Sequence, residues 1–332
     1  MLKSYFLVAL RSIRKNPGYA GVNIFGLTLG ISAFLIIFLV IQFELSFDKF
    51  HNDSDKIFRI NNELRLSSGS YKYPTCTSAL APALANQTPE VIDYTRLNGG
   101  GQQLVIEVNT ELFKEDNSFF VDPNFLEFFN FSLLQGEKST VLDAPNTVVL
   151  TESSAIKYFG STNVVGKTLD VIGNQSVTYE VTGLLEDLPL NTHISFDLIF
   201  SNLTLKNQNG GNALNNWAGD GFYSYIKLTN RESVNILYDK IAQLKSANIE
   251  EGRLHMFNPD LTALEDIHLQ SNLRNEIDVN GSMDFVFIFV AIGVFVLVIA
   301  GINYMNLATA RSAKRAQEVG IRKVLGAYKK QL

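Results

Sequence analysis

Two long stretches of this chain carry no charged side chain: 16–43, twenty-eight residues, and 285–310, twenty-six residues. A helix rises about 1.5 Å per residue, so roughly 20 apolar residues cross a hydrocarbon layer of about 30 Å; both runs are long enough with tilt to spare. They predict two membrane-spanning helices. Ahead of the first, Leu2, Phe6, Ala9, Leu10 and Ile13 fall on one helical face with Arg11, Arg14 and Lys15 off it, which predicts a short interfacial helix over 1–15. Asn16, Pro17 and Gly18 break it. The apolar run exceeds the usual length of a signal-peptide core, roughly 7–15 residues, and no small-x-small cleavage site follows, so it reads as an uncleaved anchor.

Between the runs, over 44–284, the periodicity changes. Apolar residues at Phe43, Phe47 and Phe50 predict that the first helix continues a turn or two past the membrane. KIFRINNELRL at 56–66 alternates as a strand, and 78–87 looks helical despite Pro82. Further strands are predicted at 94–97, 103–108 and 119–121, the last leading into a helix over 123–129. Val148, Val149 and Leu150 form a short buried strand, and Thr151 caps a helix over 152–159. Residues 167–172 and 177–185 read as a hairpin turning at Gly173 and Asn174. The segment 186–200 turns and pairs again, and 207–221 reads as an exposed polar loop. A strand at 223–228, an amphipathic helix at 233–246 and an extended segment at 257–268 complete the pattern. These short mixed elements predict an α+β domain, divided into two lobes.

Charge fixes the topology. The chain of 332 residues is 46% hydrophobic with a net charge of −5, which looks like an average soluble protein until the charges are placed. Residues 1–15 hold four bases and no acid; residues 306–332 hold seven bases and one acid, Glu318; the rest holds 17 bases against 32 acids. Short Lys- and Arg-rich segments stay in the cytoplasm while large acidic domains are translocated, so both ends face inward and 44–284 faces out. Basic patches found only beside the apolar runs argue against nucleic acid as a partner. Cys76 is the sole cysteine, so no intrachain disulfide forms and the outer domain relies on its core.

Candidate chemistry is sparse. Gly160 to Gly166, followed by Lys167 and Thr168, resembles a phosphate-binding loop, but five residues separate the glycines where four are needed. A helix precedes it and a strand follows, the reverse of the required order. His51, His193, His255 and His268 are far apart and lack metal-ligand spacing. No GxSxG elbow or HExxH helix occurs, and no catalytic constellation emerges.

The informative segment is RSAKRAQEVGIRKVLGA at 311–327. If helical, it puts Arg311, Lys314, Arg315, Glu318 and Arg322 on one side, with Glu318 and Arg322 spaced for an i,i+4 pair, and Ala313, Ala316, Gly320 and Val324 on the other. Lys323 adds to the charge. Gly320 and Gly326 each cost about 1 kcal/mol inside a helix, which a plain stop-transfer segment has no reason to accept. Asn303 and Asn306 near the inner end of the second run suit packing on protein, and Gly26 and Gly30 in the first form a GxxxG face for close helix approach.

This segment resembles the cytoplasmic signature of FtsX-like, MacB-type permeases of ABC transporters. LRSIRKNPGYAGVNIFGLTLG, ELSFDKFHNDSDKIFRI, NTVVLTESSAIKYFG, VGKTLDV and TGLLEDLPLNTHISFDL are similar to the version common in Bacteroidota-type bacteria. The resemblance implies a bacterial inner-membrane, multi-pass protein with a cytoplasmic N-terminus. Its parts would be an interfacial helix (1–15), a first transmembrane helix (16–43), a MacB-like periplasmic core domain of two lobes (44–284), a second transmembrane helix (285–310) and an ATPase-coupling segment (311–332). The coupling residues would be Arg311, Lys314, Arg315, Glu318, Gly320, Arg322, Lys323 and Gly326; the transmembrane packing residues would be Gly26, Gly30, Asn303 and Asn306.

The expected partners are a cytoplasmic ABC ATPase subunit, a second permease half or a second copy, and the bilayer. No cofactor and no catalysis are expected of the chain itself, since ATP would be bound by the partner. The implied role is export or extraction of peptides, antibiotics, lipoproteins or lipids. A two-span receptor with a periplasmic ligand-binding domain is the alternative. Family members continue to at least four spans, so the chain reads as truncated, and two helices would leave the Gly26 and Gly30 face without an intramolecular partner.

Overall fold

The computed structural model describes residue 14 and residues 17–99, 103–173, 176–207 and 211–325. Apart from Arg14, the segment expected to form an interfacial helix over 1–15 lies outside the described residues, as do Asn174 of the hairpin turn and Gly326. The chain divides into a helical unit, Met1–Leu45 with Met283–Leu332, and a second unit, Ser46–Ser282.

The helical unit is built on α1 (Pro17–Glu44) and α7 (Met283–Val324). Their apolar side chains point outward: Phe25, Leu29, Ile36 and Leu39 of α1 and Phe285, Phe287, Phe295 and Ile299 of α7 are exposed. Such a surface is stable only in lipid, where the helix satisfies every backbone polar group internally. At about 1.5 Å per residue, the 42 residues of α7 span roughly 60 Å, twice the hydrocarbon thickness, so the helix runs on through the basic stretch without a break.

The other unit is one continuous mixed sheet. Among the described residues its strands are β1 (Ile57–Leu66), β2 (Gly69–Tyr73), β3 (Val91–Gly99), β4 (Leu104–Val108), β5 (Glu111–Glu115), β6 (Ser118–Val121), β7 (Leu133–Gln135), β8 (Thr147–Thr151), β9 (Thr168–Ile172), β10 (Val177–Leu185), β11 (Leu198–Ser201), β12 (Phe222–Leu228) and β13 (Asn258–Ala263). The order is β13-β1-β12-β3-β6-β11-β8-β10-β9-β4-β5, with β2 on β1 and β7 on β10. The pairs β6–β11 and β8–β10 are parallel, and the other pairings are antiparallel.

Two core clusters flank this sheet with helices. In one, α2 (Leu80–Gln87) and α5 (Val234–Asn248) bury Leu80, Leu84, Leu237, Ile241 and Leu244 against Phe58, Ile60, Ile226 and Leu228. In the other, Ala155 and Tyr158 of α4 (Glu152–Phe159) pack with Ile106, Val148, Leu150, Val181 and Phe200. The Thr151 side chain accepts from the Ser154 amide and starts α4; Gly160, at φ 65, ends it in the left-handed conformation that glycine adopts without steric cost. A third cluster is aromatic, with Phe125, Phe128, Phe129, Phe131, Phe196 and Tyr225 buried together.

Several expectations need correction. The first helix does not continue past the membrane: it ends at Glu44, and 45–50 form turns in which Asp48 takes a left-handed φ of 59. Its carboxylate is bound by Thr192 and His193, and those bonds outweigh one more helical turn. The helix expected over 123–129 is the single turn α3 (Phe125–Phe128), since the aromatic cluster consumes those side chains. The segment 257–268 is extended only through β13, and 264–270 forms α6 (Leu264–Gln270), which buries Leu264 and Ile267 at helical spacing. The strands β2, β5 and β7 are short and largely exposed, and lack the alternation that would announce them.

Candidate functional site

Three places carry the residues on which a mechanical role would depend. The first is the interface of α1 with α7. A Cβ placed on Gly26 would lie 2.6 Å from Asn303 Nδ2, and one on Gly30 would lie 2.7 Å from the Ala300 Cβ. Further along, Gly293 faces Phe34 and Ile37. The contacts advance along α1 as they recede along α7, so the helices run antiparallel. The GxxxG face therefore has its partner within the chain, contrary to the expectation that two helices would leave it bare. Small residues allow backbones to approach closely, and dispersion contacts hold the pair where lipid offers no hydrophobic drive. Asn306 is exposed. Replacing Gly30 by leucine is expected to force the helices apart at a cost of about 1–3 kcal/mol, read as loss of a disulfide cross-link engineered between α1 and α7 in membranes.

The second place is the basic end of α7. Its backbone is helical through Val324, which includes Arg311, Lys314, Arg315, Glu318, Gly320, Arg322 and Lys323. Gly320 and Lys323 are exposed, whereas the side chains of Arg311, Lys314, Arg315, Glu318 and Arg322 lie outside the described residues. A Cβ on Gly320 would meet nothing within 4 Å.

The third place is where the chain enters and leaves the outer domain. Asp48, four residues beyond the end of α1, is fully buried. Its carboxylate accepts from Thr192 Oγ1 at 2.9 Å and from the His193 amide at 3.1 Å, with His193 Nδ1 at 2.8 Å and His51 Nε2 at 3.6 Å. The outer ring nitrogens are held in turn, His193 Nε2 by Tyr225 Oη at 2.7 Å and His51 Nδ1 by the Phe129 carbonyl. Burial alone would raise the Asp48 pKa; the charges and hydrogen bonds of His193 and His51 outweigh it and hold the carboxyl far below the usual range. Phe47 stacks on His268 with ring centroids 3.3 Å apart. Three histidines that are remote in sequence thus gather around 47–51.

At the exit, Glu276 receives both ends of the Arg59 guanidinium, Nη1 at 2.6 Å and Nη2 at 3.0 Å. Arg59 lies on β1 facing the same way as Ile57, and it also binds Asn61 and Ser271. Ser271 bonds Glu276, and Asn280 Nδ2 donates to the Ser271 carbonyl at 2.9 Å, so the whole stretch 271–280 before α7 is tied to β1. A further buried bidentate pair, Arg96 with Asp122 at 2.8 and 2.9 Å, joins β3 to the turn after β6. Sequence reasoning missed these clamps. The one available signal was Arg59 at a core-facing position of an alternating strand, where an unpaired charge would be prohibitive.

Among the described residues no group of three or more His, Cys, Asp or Glu side chains is arranged to hold a metal ion. Gly160–Lys167 connects a helix to a strand, so its amides do not open a helix toward a phosphate. Cys76 is buried, and burial pushes its thiol up to about 12, which makes it inert.

The comparisons with known proteins agree with this architecture. Residues 20–244 match the MacB-like periplasmic core domain. Among solved structures, a domain of a proposed permease from Porphyromonas gingivalis matches at a TM-score of 0.54 with 23% identity, covering 64% of this chain and 91% of that one. The periplasmic region of MacB from Actinobacillus actinomycetemcomitans matches at a TM-score of 0.44 with 17% identity, covering 64% of this chain and 90% of its own. No curated protein matches. The family match spans well over half of the chain and runs from α1 into α5, and the first of these structures shares its fold. The chain is a membrane protein that belongs to the family of the MacB-like periplasmic core domain.

Proposed function

We propose that this chain is the permease subunit of an ABC transporter in the bacterial inner membrane, and that it transmits ATP hydrolysis by a separate cytoplasmic ATPase to its own periplasmic domain. The observation that carries this reading is the family match over 20–244 in a chain whose matched domain is flanked by two apolar helices. The eleven bases at the outer ends of the two helices support an orientation with both termini in the cytoplasm. The continuity of α7 supports the coupling: residues 311–324 belong to the same 42-residue helix that begins at Met283, next to the domain. A push on its basic end is delivered along a rigid rod. The substrate class is an exported or extracted peptide, antibiotic, lipoprotein or lipid, and the working unit includes a second permease half or a second copy.

The reading is tested by Glu318→Arg and Gly320→Leu in membranes containing the ATPase. Both variants are expected to fold and insert while losing most of the stimulation of ATPase rate that the unaltered chain gives. Undiminished stimulation in both would contradict the coupling role of 311–327.

A further inference from the structure

The large apolar side chains of the domain Ser46–Ser282 are mostly absorbed by its three buried clusters. Leu190 at 86% and Val279 at 88% are its two most exposed large hydrophobics among the described residues. A single exposed leucine needs no explanation, but these two come from loops that share one place. Pro189 and Leu190 line the same cavity of about 340 Å³ as Asp278, the neighbour of Val279.

The covalent chain fixes where that place is. Val279 precedes Met283, the first residue of α7, by four positions. The residue after Leu190 is Asn191, whose side chain donates to Ser46 Oγ at 3.0 Å and whose carbonyl accepts from the Asp48 amide at 2.9 Å. Ser46 follows Glu44, the last residue of α1, by two positions. A trans chain advances at most about 3.6 Å per residue, so Val279 lies within about 14 Å of the start of α7, and Ser46 within about 7 Å of the end of α1. The polar zone on each side of the hydrocarbon is about 5–7 Å thick. Both loops are therefore joined by short tethers to the ends of the two spans. The exposed charges on these stretches are acidic in excess, Glu186, Asp187 and Asp278 against Lys49 and Arg274. A net acidic surface is not drawn to anionic headgroups, so burial of the apolar tips is the source of contact that remains.

We propose that Leu190 and Val279 form a lipid contact of the domain, seated at the headgroup–acyl boundary of the outer leaflet and independent of anionic lipid. Inserted tips of this kind would hold the clamped segments 46–51 and 271–280 at a constant depth. The inference uses the membrane topology alone and stands or falls separately from ATPase coupling.

The test uses the full chain in nanodiscs, with its single tryptophan changed, Trp217→Phe, and one tryptophan introduced by Leu190→Trp, by Val279→Trp, or by Leu112→Trp at a 66% exposed control position on β5. Lipids brominated near the top of the acyl chain are expected to quench the first two and shift their emission to the blue, equally with and without phosphatidylglycerol, while the control is unaffected. Absence of quenching at both positions would overturn the proposal. So would a blue shift without quenching, which would mark a protein contact such as a second copy, or quenching that requires phosphatidylglycerol. Should Trp217→Phe disturb folding, spin labels attached through Leu190→Cys and Val279→Cys read the same depth from collisions with oxygen against a water-soluble nickel complex, because the buried Cys76 stays unlabelled. Greater accessibility to nickel at both sites would be equally decisive against the proposal.

Discussion

Arg59→Met is expected to destabilise the outer domain by about 3–5 kcal/mol, the range found when one partner of a buried ion pair is removed. Arg59 is fully buried and the Glu276 side chain is 10% exposed, so the abandoned carboxylate has little water to turn to. In a domain of this size each kcal/mol moves the melting temperature by about 2–4 °C, so the drop is large enough to read by thermal unfolding of the detergent-solubilised chain. The double change Arg59→Met with Glu276→Met is expected to recover much of the loss, because removing both charges also removes their desolvation cost. A single variant within about 1 kcal/mol of the parent would show that 271–280 is not held as the structure indicates.

Asp48→Ala is expected to cost about 3 kcal/mol at pH 6, since it orphans Thr192 Oγ1, the His193 amide and two imidazoles in a site closed to water. The difference has a defined pH dependence. The folded-state pKa of Asp48 is depressed, so its contribution is fully present above the unfolded-state value of about 3.9 and is lost as pH falls toward the folded value. The gap in urea stability between the parent and Asp48→Ala should therefore shrink as pH falls below about 4. A gap that did not shrink below about pH 4 would mean that Asp48 is not held in the fold as a buried carboxylate. Both experiments probe the two stretches, 46–51 and 271–280, that join the domain in sequence to α1 and α7.

How much of this was legible in the sequence follows from the range of the interactions concerned. The apolar runs, the Thr151 cap, the 168–185 hairpin and the amphipathic face of α5 depend on neighbours a few residues away, and each is visible as a local pattern. The helical turn expected after Glu44 was a sound local reading of Phe43, Phe47 and Phe50. It failed because Asp48 is drawn to Thr192 and His193, about 145 positions along the chain, and no local pattern reports such a partner.

The histidines illustrate the same limit. Spacing argued correctly that His51, His193 and His268 form no sequence motif, yet the fold brings all three to one short segment. For the candidate coupling site the position is reversed. Glu318 and its basic neighbours owe their proposed role to resemblance. A docking segment derives its meaning from a partner, so its chemistry cannot be read from its own contacts.

The measurement that bears most directly on the central claim is capture of the native protein from source membranes through its outer domain, with identification of what co-purifies. An ABC ATPase recovered in stoichiometric amount, and released by Glu318→Arg, is the result expected of a permease subunit. Recovery of the chain with no ATPase under conditions that preserve other membrane complexes would contradict it.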